Sequence, residues 1–130
     1  MLRPNMASQA LEERRERRSD DIMTALHYQL AFARSQGQFD ALVLADATGC
    51  LVAGAGPWPT CERLAAFAPL LVERPIGSRR LRECPADLEI RRIMIDRSEV
   101  LLCARGGGAA RVPSITRAAS GCRRILGGEA

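Results

Sequence analysis

The sequence contains no lysine. All nineteen basic residues are arginine, set against fifteen acids and one histidine, for a formal charge of +4. Aromatic residues are scarce as well: Tyr28, Phe32, Phe39, Trp58 and Phe67 are the full set, and none falls in the arginine-rich ends of the chain. Without aromatics among those arginines a nucleic acid strand has no stacking platform, so nucleic acid is not an expected partner. No apolar run approaches the roughly 20 residues of a membrane-spanning helix, so no membrane insertion is expected. The start, Met1-Leu2-Arg3-Pro4-Asn5, lacks the apolar stretch of a secretory signal, and the expected location is cytoplasmic. The cysteines Cys50, Cys61, Cys84, Cys103 and Cys122 include no C-x-x-C pair. Each lies in or beside an apolar segment, so they read as reduced thiols packed as small hydrophobes.

Recognisable catalytic or binding motifs are absent too. Gly106-Gly107-Gly108 follows an apolar run and precedes a helical pattern, but it matches neither G-x-x-x-x-G-K-[ST] nor G-x-G-x-x-G. It reads as a connector. His27 is the only histidine, one or two helical turns from Asp20 and Asp21, and no nucleophile or ligand set is paired with it by spacing. It reads as a surface histidine. No catalytic residue, metal or cofactor is assigned, and the protein is expected not to be an enzyme.

What is present is patterning. The composition, 47% hydrophobic and 26% charged, is that of a globular chain, and 130 residues suffice for one core. Ala41 to Ala45 are five consecutive apolar residues, then Asp46-Ala47-Thr48-Gly49, then a second apolar run from Cys50. Asp opening and Gly closing a short polar segment mark a β-hairpin turn. A strand with no polar face must be covered on both sides, so helices are expected on both faces of the sheet. Val100 to Ala104 is a second such run.

Around these strands lie helical patterns. Residues 7–18 form a charged segment, and Ser19 is a candidate N-cap for a helix carrying Ile22, Met23, Leu26, Leu30 and Ala33 on one stripe. A single uninterrupted helix through both is the alternative. Thr60 is the candidate cap of a second helix with Cys61, Leu64, Ala65, Ala68, Leu71 and Val72 inward, and Pro69 predicts a kink or an early end. Arg79 to Cys84 is a weak strand candidate. Leu88 to Asp96 is a stronger one whose apolar phase switches, which predicts a bulge near Arg91-Arg92. The last helix has Pro113 near its start and Gly127-Gly128 past its end. Trp58, between two prolines, reads either as core or rim packing or as an interface anchor, and Phe67 lies one position off its helix's main stripe.

Charge is uneven. Residues 1–18 hold five arginines and three glutamates, residues 19–99 nine arginines and eleven acids, and residues 100–130 five arginines and one glutamate. The positive excess sits at the two ends, where it reads as solvated helix surface.

The runs Ala41-Leu42-Val43-Leu44-Ala45-Asp46-Ala47-Thr48-Gly49-Cys50-Leu51-Val52-Ala53, Leu64-Ala65-Ala66-Phe67-Ala68-Pro69-Leu70-Leu71 and Glu99-Val100-Leu101-Leu102-Cys103-Ala104 resemble the first hairpin, second helix and last strand of the Roadblock family. That family, named for a dynein light chain, includes bacterial gliding-motility GTPase regulators. The resemblance implies an α/β (α+β) fold in the order α-β-β-α-β-β-β-α: a five-stranded, mostly antiparallel sheet with helices on both faces. It divides the chain into a charged extension, 1–18, and one Roadblock-like domain, 19–128. It implies a homodimer that pairs edge strands and second helices, serving as a non-enzymatic scaffold or regulator of a Ras-like small GTPase or related signalling partner. Trp58, Leu64, Phe67, Leu71 and Leu81 are the interface candidates. A GAF-like or profilin-like small-molecule sensor is the alternative, and it predicts a closed apolar pocket.

Overall fold

The computed structural model describes residues 6–72 and 87–128. In chain order the elements are α1 (Met6–Gly37), β1 (Phe39–Asp46), β2 (Leu51–Ala55), α2 (Trp58–Val72), β3 (Leu88–Ile95), β4 (Ser98–Gly106) and α3 (Arg111–Leu126). The four strands form one antiparallel sheet in the order β2-β1-β4-β3. Among the described residues the sheet thus has four strands where five were expected. The additional candidate, Arg79 to Cys84, lies outside the described residues.

Helices cover both faces, as the two-sided apolar strands require. On one face Leu42 and Leu44 of β1 and Leu102 and Ala104 of β4 pack under Leu26 and Leu30 of α1 and Ile115 and Cys122 of α3. On the other, Ala41, Val43, Leu101 and Cys103 pack under Cys61, Leu64 and Ala68 of α2. Successive side chains in a strand point to opposite faces, so the apolar run of each central strand feeds both cores.

Several local expectations are corrected. Ser19 caps nothing: α1 runs through it without a break. Residues 6–36 contain no proline or glycine, and Leu, Glu, Arg, Met and Ala favour helix strongly enough to carry it on. Residues 10–21 are all exposed, and from residue 10 onward Ile22 is the first side chain of α1 to pack against the core. Helix α2 begins at Trp58, two residues before Thr60, with the Pro57 carbonyl accepting from the Cys61 amide at 3.0 Å. Proline is tolerated in a first turn because those amides lack helical partners anyway. The helix also continues past Pro69 to Val72.

Strand β3 carries no bulge, since its register with β4 is unbroken from Leu88↔Arg105 to Ile95↔Ser98. The phase switch has a simpler cause. Leu88 and Ile90 pack on the α2 side and Ile93 and Ile95 on the α1–α3 side, so the two halves of one regular strand serve opposite cores.

The β1–β2 turn is as expected. The Gly49 amide donates to the Asp46 carbonyl at 3.1 Å, and Gly49 has φ +93°. Asp46 Oδ1 accepts from the Thr48 hydroxyl at 2.6 Å, the Thr48 amide at 2.9 Å and the Cys50 amide at 3.0 Å. Those hydrogen bonds, the Thr48 hydroxyl first, hold the Asp46 carboxyl below its ordinary value.

Candidate interaction surface

Three of the described cysteines are structural. Cys61, Cys103 and Cys122 are free and buried, and burial raises all three thiols, Cys103 to about 12 and Cys122 to about 11. A thiol so raised stays protonated near neutral pH and is a poor nucleophile. Cys50 departs from the packed reading, being free and exposed at the hairpin turn, and Cys84 lies outside the described residues. His27 is exposed, with Nδ1 2.8 Å from the Met23 carbonyl one turn back. Among the described residues no three His, Cys, Asp or Glu side chains gather to hold a metal.

The glycine loop is tied down from both ends. The Gly106 amide donates to the Asp87 carbonyl at 2.9 Å, and the Gly108 amide to the Gly37 carbonyl at 2.9 Å. With those two amides used inside the fold, the loop is a fixed connector and not a phosphate cradle.

The candidate surface lies where α2 leaves β3 partly uncovered. Thr60, Arg63, Leu64, Phe67, Leu88 and Arg105 line an open groove of about 290 Å³. Leu64 forms its floor at 6% exposure, because it also belongs to the α2 core. Phe67 stands at its wall, 37% exposed. The apolar lining comes from two patterns: α2 turns a flank as well as its core stripe toward β3, and the first half of β3 points Leu88 and Ile90 to the same side. Two arginines edge the groove. Arg63 Nε donates to the Pro59 carbonyl at 3.4 Å, and Arg105 Nε lies 3.9 Å from Asp87 Oδ2.

Of the sequence-selected residues, Leu64 and Phe67 meet in this groove. Leu71, one turn after Phe67, is partly buried on the same flank. Trp58 is 54% exposed, which removes the core reading. It precedes Phe67 by nine positions, about half a turn out of phase, so it sits on the opposite flank of α2. Leu81 lies outside the described residues. Sequence reasoning passed over Leu70, which is 52% exposed on α2, and Leu88. The signal for Leu70 was its position off the inward stripe. For Leu88 it was the phase switch in β3.

The other surface pockets are open too. Between α1 and α3, the crevice beside Gln29, Phe32, Ala33 and Ser114 measures only about 10 Å³. A space that small holds at most a water molecule, so the closed ligand pocket that a sensor domain predicts is not found in these pockets. No helix among the described residues is long and apolar enough to cross a membrane.

No protein-family model and no curated protein sequence matches the chain. Solved structures do. MglB from Myxococcus xanthus superposes with a TM-score of 0.57 at 16% identity, over 80% of this chain and 89% of that one. The gliding protein MglB from Thermus thermophilus gives 0.59 at 13%, over 81% and 90%. A structure described as MglB with tetrameric arrangement gives 0.55 at 16%, over 81% and 90%. At such identities the likeness is one of fold, and it is the fold that the Roadblock resemblance implied.

Proposed function

We propose that this chain is a non-enzymatic Roadblock-like dimerisation and scaffold module. It pairs with a second copy through α2 and the β3 side of the sheet, and the dimer binds and regulates a Ras-like small GTPase or a related signalling partner. The observation that carries this reading is the apolar groove between α2 and β3. It combines a buried floor at Leu64 with Phe67 and Leu88 around it, on a chain that shares its fold with MglB over four-fifths of its length. Leu70 is exposed elsewhere on α2. Large apolar side chains gathered on one surface mark interaction sites more often than chance exposure does. One MglB structure is itself described as tetrameric, which supports self-association as a property of this fold.

Sedimentation velocity is the test of the first step. The expected mass is about twice the 14.2 kDa of one chain, and a Phe67→Asp, Leu70→Asp variant should sediment as a monomer. The second step is read from GTP hydrolysis and nucleotide release by a Ras-like GTPase, which the dimer should change and the variant should not. A monodisperse monomer at high concentration would overturn the proposal.

A further inference from the structure

The opposite side of the molecule carries a second surface of different character. It is built from α3 and from α1 beyond residue 21. Residues 22–37 and 111–128 contain no aspartate or glutamate at all, and they contain five arginines. Two of these are engaged in the fold. Arg34 Nε donates to the Asp40 carbonyl at 3.2 Å, and Arg111 Nε lies 3.7 Å from Glu89. Arg117, Arg123 and Arg124 are exposed, and no carboxylate among the described residues pairs with them.

Helix α1 sets two exposed aromatics beside them. Tyr28 is 78% and Phe32 50% exposed, and their four-residue spacing places them on one side of the helix. Phe32 and Arg117 line the same crevice between α1 and α3. Gln29 lies against Gly121 and Gln36 shares the crevice with Ser114, so the two helices run antiparallel, and Arg124 follows one turn beyond Gly121. Tyr28 also shares a shallow groove with Asp20 and His27. An aromatic pair and an arginine pair lie on neighbouring helices, joined at Phe32 and Arg117. Neither is visible in the linear sequence, where some 85 residues separate them.

We propose that this α1–α3 surface docks an acidic amphipathic helix of another protein. Two antiparallel helices present a shallow lengthwise groove, and a third helix fills it by ridge-into-groove packing. The partner's apolar strip covers Tyr28 and Phe32, and its carboxylates meet Arg117 and Arg124 in charge-assisted hydrogen bonds. A second copy docked by the same face is a poor occupant, because it would set arginines against arginines. A purely apolar partner is also poor, because it would desolvate the guanidinium groups with no return. The surface is separate from the α2 groove, so it stands whether or not that groove makes a dimer.

The probe is a synthetic helical peptide of about 20 residues, with leucine on one stripe and glutamate on its flanks, titrated into the isotopically labelled full chain. Amide shifts should concentrate in residues 22–36 and 112–127. Tyr28→Ser with Phe32→Ser, and separately Arg117→Gln with Arg124→Gln, should each weaken binding about tenfold or more. Both pairs are on the surface, so the unfolding midpoint should hold and reports on folding independently. A peptide with lysine in place of glutamate should not bind. The proposal is overturned if the glutamate peptide fails to saturate, if its shifts centre on α2, if the lysine peptide binds equally, or if oligothymidylate or anionic vesicles bind more tightly.

Discussion

Gly56 leaves no room for a side chain. Its φ of +126° is outside the range that L residues adopt, and an added Cβ would stand 2.8 Å from the Asp40 carbonyl oxygen and 3.1 Å from the Ala41 Cα. Backbone cannot swing aside as a long side chain can. Gly128 is the control, with φ +73° and nothing within 4 Å. Gly56→Ala should cost about 2 kcal/mol or more in urea unfolding, and Gly128→Ala about 1 kcal/mol. The buried thiols give a second prediction at this scale. Burial raises Cys103 to about 12 and Cys122 to about 11, against an ordinary 9.0, so the folded chain holds protons that the unfolded chain would release. Their contribution to stability is complete below pH 9 and is lost as the pH climbs through 11 to 12. Urea midpoints should fall above pH 9, and the Cys103→Ala, Cys122→Ala double variant should lose much of that slope. Of the described cysteines, Cys50 alone should be alkylated quickly in the native protein.

At the scale of elements, α1 is two helices in one. From Ile22 to Gly37 it is held by the core, and from residue 10 to 21 every side chain is exposed. The outer stretch mixes pairs that help, such as Glu13 with Arg17, and pairs that hinder, such as Arg14 with Arg18. A short helix with no tertiary contact is marginal in water. Removing residues 1–18 should therefore lower helical circular dichroism while moving the melting temperature by no more than about 2 °C. Its amides should exchange far faster than those of Leu26 to Ala33. Ser19→Ala should leave stability within about 0.5 kcal/mol, because no cap is lost. The break expected at Ser19 was a reading of local chemistry alone. Ser and Asp at a helix start look the same as Ser and Asp on a solvated helix face, and only the length of uninterrupted helix-forming sequence before them separates the two.

For the whole molecule, the sheet is a shared wall. Leu101 faces the α2 core and Leu102 the α1–α3 core, and both are essentially inaccessible. Adjacent residues of one strand cannot unfold separately, so the two cores should melt together. Leu101→Ala and Leu102→Ala should each cost about 2–5 kcal/mol, and both should shift a single transition on which far-ultraviolet and near-ultraviolet signals coincide. Split transitions in either variant would show that the layers are independent. The wall also separates two chemistries. The α2 side offers an apolar groove edged by Arg63 and Arg105, and the α1–α3 side offers exposed aromatics and exposed arginines.

The hairpin, the sandwiched sheet and the inward stripes of the helices followed from the chain alone, except that Met23, expected on the stripe of α1, is 37% exposed. Runs such as Ala41 to Ala45 admit no solution except cover on both faces, and period and turn chemistry are local properties. Which residues share a surface was decided only by the packing. Phe67 meets Leu88 across a gap of twenty-one positions, and Phe32 meets Arg117 across eighty-five, because helix phase and strand register bring them together. Trp58 and Phe67, nine residues apart, part company for the same reason. A surface is an alignment of several elements, and one-dimensional spacing carries information about one element at a time.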